Sequence, residues 1–503
     1  MKVALVYPDF PDWNVGGCYY TGVAALSASL KRAGHDVMFM HITGPIDKEQ
    51  FVGRLKEYGP RIIGFSATTP MFKYVKEWAP WAKEIADAIV VCGGVHARMD
   101  PDGVINTADI DAVCYGEGDG ALVELCSRLE NNRDFTTTEN FIFKKGSTII
   151  SNPLQFVEDL DELPDPDRDI FDHQKLYDYS KKGAPSVATF MFSRGCPFSC
   201  SYCSNARLME GYPRSLKRVR YLSPKRAVGQ IVEHLRKHPD TDYVRIDDSN
   251  VSLNREWLYE FCRLYKEKVS KPYMCQTRIG PRLLDEDVVR TLIESGCFML
   301  ILGVEHGSEE YRRRVLGREM SDDDIIAAFK LCHKHRLATR AFAMFGTPYE
   351  TVGSMLETIK LLARSEVFDL SAGTFYPFPH TVLDDLCRKE GFTIGNLLAP
   401  GGWPAVILAQ PTVTTDAVCL VWRMSRTLLL LYALCYRGSS GSERARSEKI
   451  LDDCVQSMIE AMTGRVTREL VEGLTQSDSV AHRAYKMMFH PNICAHCDLV
   501  LRV

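Results

Sequence analysis

The sequence predicts an α/β protein: an N-terminal doubly wound sheet of flavodoxin type, then a partial barrel of six βα units and a mainly helical C-terminal region. Strand-like and helix-like patterns alternate through the first 150 residues, which is typical of a doubly wound parallel sheet. Six further strand–helix pairs follow a connector, and the remaining residues have helical patterns. We therefore expect domains at 1–150, 184–390 and 391–503, with the connector at 151–183. The last of these is expected to form a helical cap over the mouth of the barrel.

Short apolar runs predict the strands of the first domain. They are Val3–Tyr7, Asp36–Ile42, Ile62–Ser66, Ile89–Cys92 and Ala112–Tyr115. In doubly wound sheets, ligands bind beyond the carboxyl ends of the strands. Small residues in the loops at these ends let the backbone approach a large flat ligand closely. The loops in question are 64–69, 93–97 and 115–119.

Six similar runs predict the strands of the partial barrel. They are Val187–Phe192, Tyr243–Asp247, Tyr273–Thr277, Phe298–Gly303, Arg340–Phe345 and Leu370–Tyr376. Helical patterns lie between them at Ala227–Lys237, Glu256–Val269, Asp285–Ser295, Asp322–His333 and Val352–Ser365. Active sites of parallel barrels lie at the carboxyl ends of the strands. We therefore expect functional side chains directly after each strand.

Three cysteines, Cys196, Cys200 and Cys203, lie within eight residues after the first barrel strand. Three thiolates can bind three irons of a [4Fe–4S] cluster and leave the fourth iron open, whereas a cluster with four cysteine ligands is an electron carrier. A Cys-x-x-Cys pair is also half of a zinc site or a redox pair. Gly195 and Pro197 favour a sharp loop rather than a buried helix face, and this favours the cluster.

The spacing Cys196-x3-Cys200-x2-Cys203, with Tyr202 before the third cysteine, resembles the radical S-adenosylmethionine (SAM) enzymes. The resemblance implies that the open iron binds the amino and carboxylate groups of SAM. One electron then cleaves SAM to methionine and a 5′-deoxyadenosyl radical, which abstracts a hydrogen atom from the substrate. The segment 184–390 resembles the barrel of this family throughout, and the family places an aromatic residue such as Tyr202 near the adenine.

Polar residues after the second and third barrel strands extend this resemblance. Asp248 is expected to accept a hydrogen bond from the SAM ammonium group; an Asx turn or a helix cap is the alternative. Gln276 is expected at a ribose hydroxyl or the SAM carboxylate, and Arg278 can bind a carboxylate through two hydrogen bonds. Satisfying backbone groups at the barrel mouth is the alternative role for both.

The later strands supply the remaining candidates. The run from Gly303 to Ser308 resembles a family element in which Glu305 faces the SAM ribose or amino group. Arg318 is expected near the SAM carboxylate, with a surface position as the alternative, and Met344 beside the adenine. Tyr376 ends the sixth strand and His380 follows it, and both are candidates for proton transfer with the substrate. A structural role is the alternative for His380.

The loops of the first domain resemble the cobalamin-binding domain of one radical SAM subclass, over about residues 1–140. The resemblance implies these cofactor-binding residues: Asn14, Ser66, Thr68, Gly93, Gly94, Gly116 and Glu117. Domains that ligate cobalt from below carry Asp-x-His-x-x-Gly, whereas this chain has Asp12-x-Asn14-x-x-Gly17. An amide is a poorer cobalt ligand than imidazole, so we expect cobalamin without a histidine below the metal. A domain that no longer binds cobalamin is the alternative.

Composition limits the functional class. Hydrophobic residues make up 45% and charged residues 25% of the 503 residues, as in soluble globular proteins. A net charge of −4 does not indicate a nucleic-acid surface. The N-terminal apolar run is too short for a signal peptide, and Thr427–Tyr436 is about half the length that crosses a bilayer, so it predicts a buried helix. We expect no transmembrane segment and a reducing cytoplasm.

A second metal-like pattern lies near the C-terminus. Cys494 and Cys497 flank His496, and His490 precedes them. A structural zinc site needs four ligands, which would have to converge from this short segment. Unpaired thiols are the alternative.

The resulting hypothesis is a radical SAM enzyme that methylates an unactivated carbon with the help of cobalamin. Ring closure, dehydration or deoxygenation is the main alternative, with cobalamin absent or in another role. A non-catalytic iron–sulfur or corrinoid carrier is an alternative of another class. The resemblance implies a small-molecule, lipid or natural-product substrate and a reducing partner such as flavodoxin or ferredoxin.

Overall fold

The structure is a computed structural model that describes residues 1–10, 17–173, 176, 185–211, 219–394, 408–438 and 441–462. Two predicted groups lie outside the described residues: Asn14, and the C-terminal set of Cys494, Cys497, His490 and His496.

In the described part of the first domain, the strands form one seven-stranded sheet with the order β2-β1-β3-β4-β5-β6-β7. The strands are β1 (Lys2–Pro8), β2 (Asp36–Ile42), β3 (Ile62–Ser66), β4 (Ile89–Gly93), β5 (Ala112–Cys114), β6 (Phe141–Lys145) and β7 (Thr148–Ser151). The first five are parallel, in the flavodoxin-like order whose switch point lies between β1 and β3. The doubly wound prediction is confirmed. The antiparallel pair β6–β7 was not anticipated.

Helices cover both faces of this sheet, as its buried central strands β1, β3 and β4 require. They are Thr21–Arg32, Lys48–Tyr58, Phe72–Ala82, Val95–Met99, Pro101–Ile105 and Gly118–Glu130. The first and last of these pack together on one face, and Lys48–Tyr58 packs with Phe72–Ala82 on the other.

The second sheet, as far as it is described, has six parallel strands in the order β15-β14-β13-β12-β11-β8. A short antiparallel pair, β9–β10, lies in the connection after β8. The bounds are β8 (Val187–Phe190), β9 (Ser193–Arg194), β10 (Arg220–Tyr221), β11 (Tyr243–Ile246), β12 (Tyr273–Arg278), β13 (Cys297–Glu305), β14 (Ala338–Phe345) and β15 (Asp369–Thr374). The predicted partial barrel is thus confirmed.

Amphipathic helices form the outer layer of the barrel. They are Pro224–Lys237, Arg255–Lys268, Glu286–Glu294, Asp322–Lys334, Val352–Arg364 and Val382–Lys389, with short helices at Ser204–Leu208 and Glu309–Arg314. The buried apolar residues of the first five helices join the strand residues in one continuous core, whereas Leu383 and Cys387 of Val382–Lys389 belong to a separate apolar cluster with Tyr202 and Met344. The carboxyl ends of the strands are left as the open mouth.

The described part of the C-terminal region is mainly helical, with helices Thr415–Gly438 and Gly441–Met462 and a two-stranded pair β16 (Thr393–Ile394) and β17 (Leu408–Ala409). Trp422 Nε1 donates to Ala372 O at 2.8 Å, and Arg426 Nε donates to Leu370 O at 2.8 Å. Helix Thr415–Gly438 therefore covers β15, which is an edge strand of the sheet. The outer side of an edge strand has no neighbouring strand to pair with its backbone groups. We had expected these helices over the mouth of the barrel.

Among the described helices, the segment Thr415–Arg437 is the one whose length and apolar composition would allow it to cross a membrane, and a third of its most apolar window is buried. Leu428 and Leu429 are buried, whereas Leu430 and Leu434 are exposed. The predicted buried helix Thr427–Tyr436 is therefore part of a longer helix that buries one side only.

Candidate active site

The loop with the three cysteines lies at the mouth of the barrel. Ser201 N donates to Leu316 O at 3.2 Å, and Leu383 N donates to Ser201 O at 3.1 Å. These bonds join the loop after β8, the first barrel strand, to the segments that follow β13 and β15, the fourth and sixth barrel strands. Gly195 adopts a φ of 98°, which suits the sharp turn before Cys196.

The donor set of this loop fits an iron–sulfur cluster. Cys200 is buried, and Cys196 and Cys203 are partly exposed. Burial raises the pKa of Cys203 to about 11, so a bound iron has to hold this thiol in its deprotonated form. Arg278 Nη1 lies 3.3 Å from Cys200 Sγ, and its guanidinium lies 4.3 Å from the centre of the Phe198 ring. A cation beside the loop stabilises the negative charge of thiolate ligands.

A polar cavity of about 120 Å³ opens beside this loop. It is lined by Ser249, Gln276, Thr277, Arg278, Ile301, Gly303, Glu305, Arg318 and Phe342. The structure thus brings together four residues singled out in the sequence: Gln276, Arg278, Glu305 and Arg318. Ser249, Thr277, Ile301 and Phe342 were missed. Ser249 and Thr277 could have been found as the direct neighbours of the predicted residues Asp248 and Gln276. For Phe342 the only signal in the sequence is that alternate side chains of β14 face the interior of the barrel.

Arg318 connects three parts of this site. Its Nη1 donates to the Tyr202 hydroxyl at 3.0 Å and lies 3.6 Å from Glu305 Oε1, and its Nη2 donates to Gly303 O at 2.6 Å. Burial raises the pKa of Glu305, while Arg318 lowers it. A Cβ atom on Gly303 would lie 2.6 Å from Glu305 Oε1, so this approach requires glycine. Arg318 is buried, which excludes the surface alternative.

The cavity fits SAM chemically. Arg318 lines the cavity, and its Nε is buried and has no hydrogen-bond partner among the described residues. Buried donors without a partner are costly unless a ligand supplies acceptors. A carboxylate and ribose hydroxyls are such acceptors, and Ile301 and Phe342 offer an apolar surface to a base.

Asp248 has a role different from the predicted one. Its carboxylate is buried and accepts hydrogen bonds from Phe192 N, Ser193 N and Ser193 Oγ. It therefore anchors the backbone where the cysteine loop leaves β8, instead of lining the cavity. The reason is its position: it directly faces the free N–H groups at the end of the neighbouring strand.

The other predicted barrel residues lie around the mouth. Met344 packs in an apolar cluster with Tyr202, where an adenine could stack. Burial and Asp384 raise the pKa of Tyr376 to about 12. His380 is half exposed, and its Nε2 lies 3.3 Å from Asp100 Oδ1 of the first domain. Neither Tyr376 nor His380 belongs to the described lining of the cavity, and their catalytic role stays a prediction.

The loops after β3 and β4 meet at the switch point of the first sheet. Ala67 N donates to Gly93 O at 3.1 Å. Gly94 has a φ of 90°, and a Cβ atom there would lie 2.8 Å from the backbone of Ala67 and 3.0 Å from Ser66 Oγ. Gly94 is exposed and Thr68 half-exposed, so this edge is open and fits a large flat cofactor such as cobalamin.

Two predicted cofactor residues of the next loop are engaged elsewhere. A Cβ atom on Gly116 would lie 2.3 Å from Asn140 Oδ1, so this glycine makes room for Asn140. Glu117 forms an ion pair with Arg220 at 2.5 Å and accepts from Val157 N at 2.8 Å. Both residues therefore stabilise the structure around the loop, and their role in cofactor binding stays a prediction.

The same loop binds the first domain to the cysteine loop. Asp119 forms a bidentate ion pair with Arg194, at 2.8 and 3.0 Å, two residues before Cys196. Arg194 and Arg220 lie opposite each other in the β9–β10 pair. We call the four residues Glu117, Asp119, Arg194 and Arg220 the interdomain clasp. It was not predicted because its partners are far apart in the sequence.

Loss of one clasp arginine should destabilise the protein strongly. Arg220 is 3% exposed and Glu117 13% exposed, so R220M leaves a carboxylate in a poorly solvated position. We expect a loss of about 3–5 kcal/mol in the free energy of unfolding, measured by urea denaturation. R236M, which breaks an exposed pair, should leave the stability close to that of the wild type. Equal effects of R220M and R236M would contradict this assignment.

His96 gives the first domain a sensitivity to acid. It is buried, its ring centre lies 4.2 Å from that of Phe72, and burial lowers its pKa to about 4. The unfolded chain binds the same proton with a pKa of about 6.5. This contribution to stability is therefore complete above pH 6.5 and is lost as the pH falls towards 4.

We therefore expect H96Q to reduce the acid sensitivity of the protein. Between pH 7 and pH 5 the wild type should lose about 2 kcal/mol through this residue, and H96Q should not. Urea unfolding at both pH values measures the difference. H333Q replaces an exposed histidine and serves as the control. Identical losses in wild type and H96Q would show that His96 titrates normally in the folded protein.

Comparisons with known proteins agree with this architecture. The radical SAM superfamily matches residues 190–362, and the B12 binding domain matches residues 14–126. The anaerobic magnesium-protoporphyrin IX monomethyl ester cyclase of Rubrivivax gelatinosus is 28% identical over 78% of this chain and 70% of its own length. The cytidylyl-2-hydroxyethylphosphonate methyltransferase of Streptomyces wedmorensis is 21% identical over 74% of this chain and 78% of its own.

Among solved structures, the cobalamin-dependent SAM radical enzyme OxsB with aqua-cobalamin bound has the same fold. The TM-score is 0.66 at 14% identity, and the match covers 99% of this chain and 81% of OxsB. Both domain matches, the three-cysteine loop and the polar cavity beside it point to the same cofactors: a [4Fe–4S] cluster, SAM and cobalamin. The chain belongs to the radical SAM enzymes that carry an N-terminal cobalamin-binding domain.

Proposed function

We propose that this enzyme transfers a methyl group to an unactivated carbon of a small-molecule, lipid or natural-product substrate. The observation that carries the proposal is the interdomain clasp, which holds the loop after β5 against the start of the cysteine loop. The loops after β3 and β4, where cobalamin would bind, and the mouth of the barrel thereby belong to one connected site. Methyl transfer needs this proximity, because the radical and the methyl carrier must reach the same carbon atom.

The cluster with SAM supplies a 5′-deoxyadenosyl radical, and cobalamin supplies a methyl carrier. The chain itself binds and orients. Cys196, Cys200 and Cys203 hold the cluster, and Arg318 and Glu305 position the polar groups of SAM in the cavity. The apolar surface of Phe342 excludes water next to the reacting atoms.

Cleavage of SAM consumes one electron. The proposal therefore includes a reducing partner of the flavodoxin or ferredoxin type, which delivers this electron to the cluster. The half-exposed cysteines Cys196 and Cys203 support it, because electron transfer needs a cluster close to the surface.

The products of SAM distinguish methyl transfer from its rivals even when the substrate is unknown. The fully loaded enzyme is incubated anaerobically with SAM and a chemical reductant. Methyl transfer leaves S-adenosylhomocysteine, and radical formation leaves 5′-deoxyadenosine. We expect both products, with S-adenosylhomocysteine equal to the bound cobalamin in a single turnover. With CD3-labelled SAM and a substrate, the label appears in the organic product.

Ring closure without methyl transfer is the second candidate, and the similarity to the cyclase of Rubrivivax gelatinosus favours it. In that case 5′-deoxyadenosine forms and S-adenosylhomocysteine does not. Absence of both products, with cluster and cobalamin bound, would identify a carrier and refute the enzymatic proposal.

A further inference from the structure

A second cluster of metal-ligating side chains lies away from the cysteine loop. It consists of Asp169 and His173 in the connector and His238 at the end of helix Pro224–Lys237. Their ligand atoms all lie within 4.8 Å of one another. Among the residues that the structure describes, no other three His, Cys, Asp or Glu side chains converge this closely. The cysteine loop differs, because a [4Fe–4S] cluster distributes its thiolates over three irons.

The distances between the ligand atoms of these three side chains suit the binding of one metal ion. Nitrogen and oxygen ligands at about 2.0–2.2 Å in a tetrahedral site lie about 3.3 Å apart. Small side-chain rotations therefore suffice to bring three atoms within 4.8 Å to that spacing. The ring centres of His173 and His238 are already 4.1 Å apart. Side chains from two separate segments contribute, so the site does not rest on one local turn.

The surroundings hold both segments in place. Asp169 lies in the short turn Arg168–Ile170, where Arg168 Nη1 donates to Thr189 O at 2.9 Å. Thr241 Oγ1 donates to His238 O at 2.9 Å and fixes the other segment. The ligands therefore need little ordering when an ion binds, which lowers the entropic cost of binding.

One positive charge already occupies part of the site. Lys237 Nζ lies 2.7 Å from Asp169 Oδ2. This ammonium neutralises the carboxylate in the absence of an ion, and it competes with a cation for the same group. His234 lies one turn before His238, with its ring centre 5.8 Å from that of His173. It is buried against Phe190 and lies outside the converging set.

We propose that Asp169, His173 and His238 form a zinc site that fastens the connector to the barrel domain. Two imidazoles and one carboxylate, with water in the fourth position, are the ligand set of open zinc sites, which differ from closed structural sites with four protein ligands. The ion nevertheless links the two segments, because its three protein ligands come from both of them. The site is independent of the radical chemistry, because its ligands belong to the connector and to the outer helix layer.

Zinc can be measured beside the known cofactors, since the cluster contributes iron and cobalamin contributes cobalt. The fully loaded enzyme is dialysed against micromolar Zn²⁺, and zinc, iron and cobalt are counted by elemental mass spectrometry. We expect one zinc per chain, and at least a tenfold weaker zinc affinity in H173A and H238A with unchanged iron and cobalt. Zinc should also raise the melting temperature of the wild type but not of H238A.

Two further variants make the test specific. K237M should bind zinc more tightly than the wild type, because it removes the competing ammonium; a purely structural ion pair predicts only a loss of stability. C494S/C497S and the exposed-histidine variant H333A should bind zinc like the wild type. Zinc that persists in H238A, zinc that disappears in C494S/C497S, or a loss of iron instead of zinc in H238A would overturn the proposal.

Discussion

Replacement of Cys200 by alanine should abolish the cleavage of SAM. Cys200 is the buried member of the three cysteines, and its Sγ accepts a hydrogen bond from Arg278 at 3.3 Å. With two thiolates left, the cluster loses one of the three ligands that the loop supplies. We expect the iron content to fall and the formation of 5′-deoxyadenosine to drop to background in an anaerobic assay.

The fold should survive this change. Cys203 N donates to Cys200 O, and Ser201 N donates to Leu316 O, so backbone groups hold the loop independently of the thiol. Alanine also fits any space that holds a cysteine. C454A, which removes a partly exposed thiol from helix Gly441–Met462, is the control and should keep its iron and its activity. Undiminished 5′-deoxyadenosine formation by C200A would refute the cluster assignment.

The regular patterns of the chain were sufficient to predict the two sheets. Strands such as Val187–Phe190 and Ala338–Phe345 are short apolar runs between helices, and this periodicity is a local property. The position of helix Thr415–Gly438 could not be predicted in the same way. Its place beside β15 depends on Trp422 and Arg426 meeting carbonyl groups about fifty residues earlier in the chain.

The residues of the active site were likewise predictable from the sequence only in part. Glu305 and Arg278 were predictable because they follow strands, and strand ends converge in a barrel. Glu117 and Asp248 lie at equivalent strand ends, yet each is engaged by groups of another segment: Arg220 for the former and the backbone of Ser193 for the latter. The position of a residue in the sequence thus indicates whether it reaches the mouth of the barrel. Whether it then binds a cofactor or stabilises the surrounding backbone depends on partners that are distant in the sequence.

Replacement of Arg318 by methionine should weaken SAM binding and also destabilise the protein. The variant loses the hydrogen bonds to Tyr202 and Gly303 and leaves Glu305 buried beside an apolar side chain. Removing one partner of a buried ion pair costs about 3–5 kcal/mol of stability. Loss of a charged hydrogen bond to the SAM carboxylate costs about 1.5–3 kcal/mol of binding, or about tenfold to a hundredfold in affinity. Equilibrium dialysis and urea unfolding measure the two effects.

The double variant E305Q/R318M separates these effects. With Glu305 replaced by a neutral amide, no carboxylate is left buried without its Arg318 partner, so stability should recover while SAM binding stays weak. R314M, on the exposed side of helix Glu309–Arg314, should match the wild type in both measurements. If the double variant bound SAM like the wild type, Arg318 would serve only to neutralise Glu305. Binding that is weaker in the double variant than in E305Q alone, at restored stability, instead identifies Arg318 as a direct SAM ligand, since the loss of Glu305 is then common to both variants and only the donor differs.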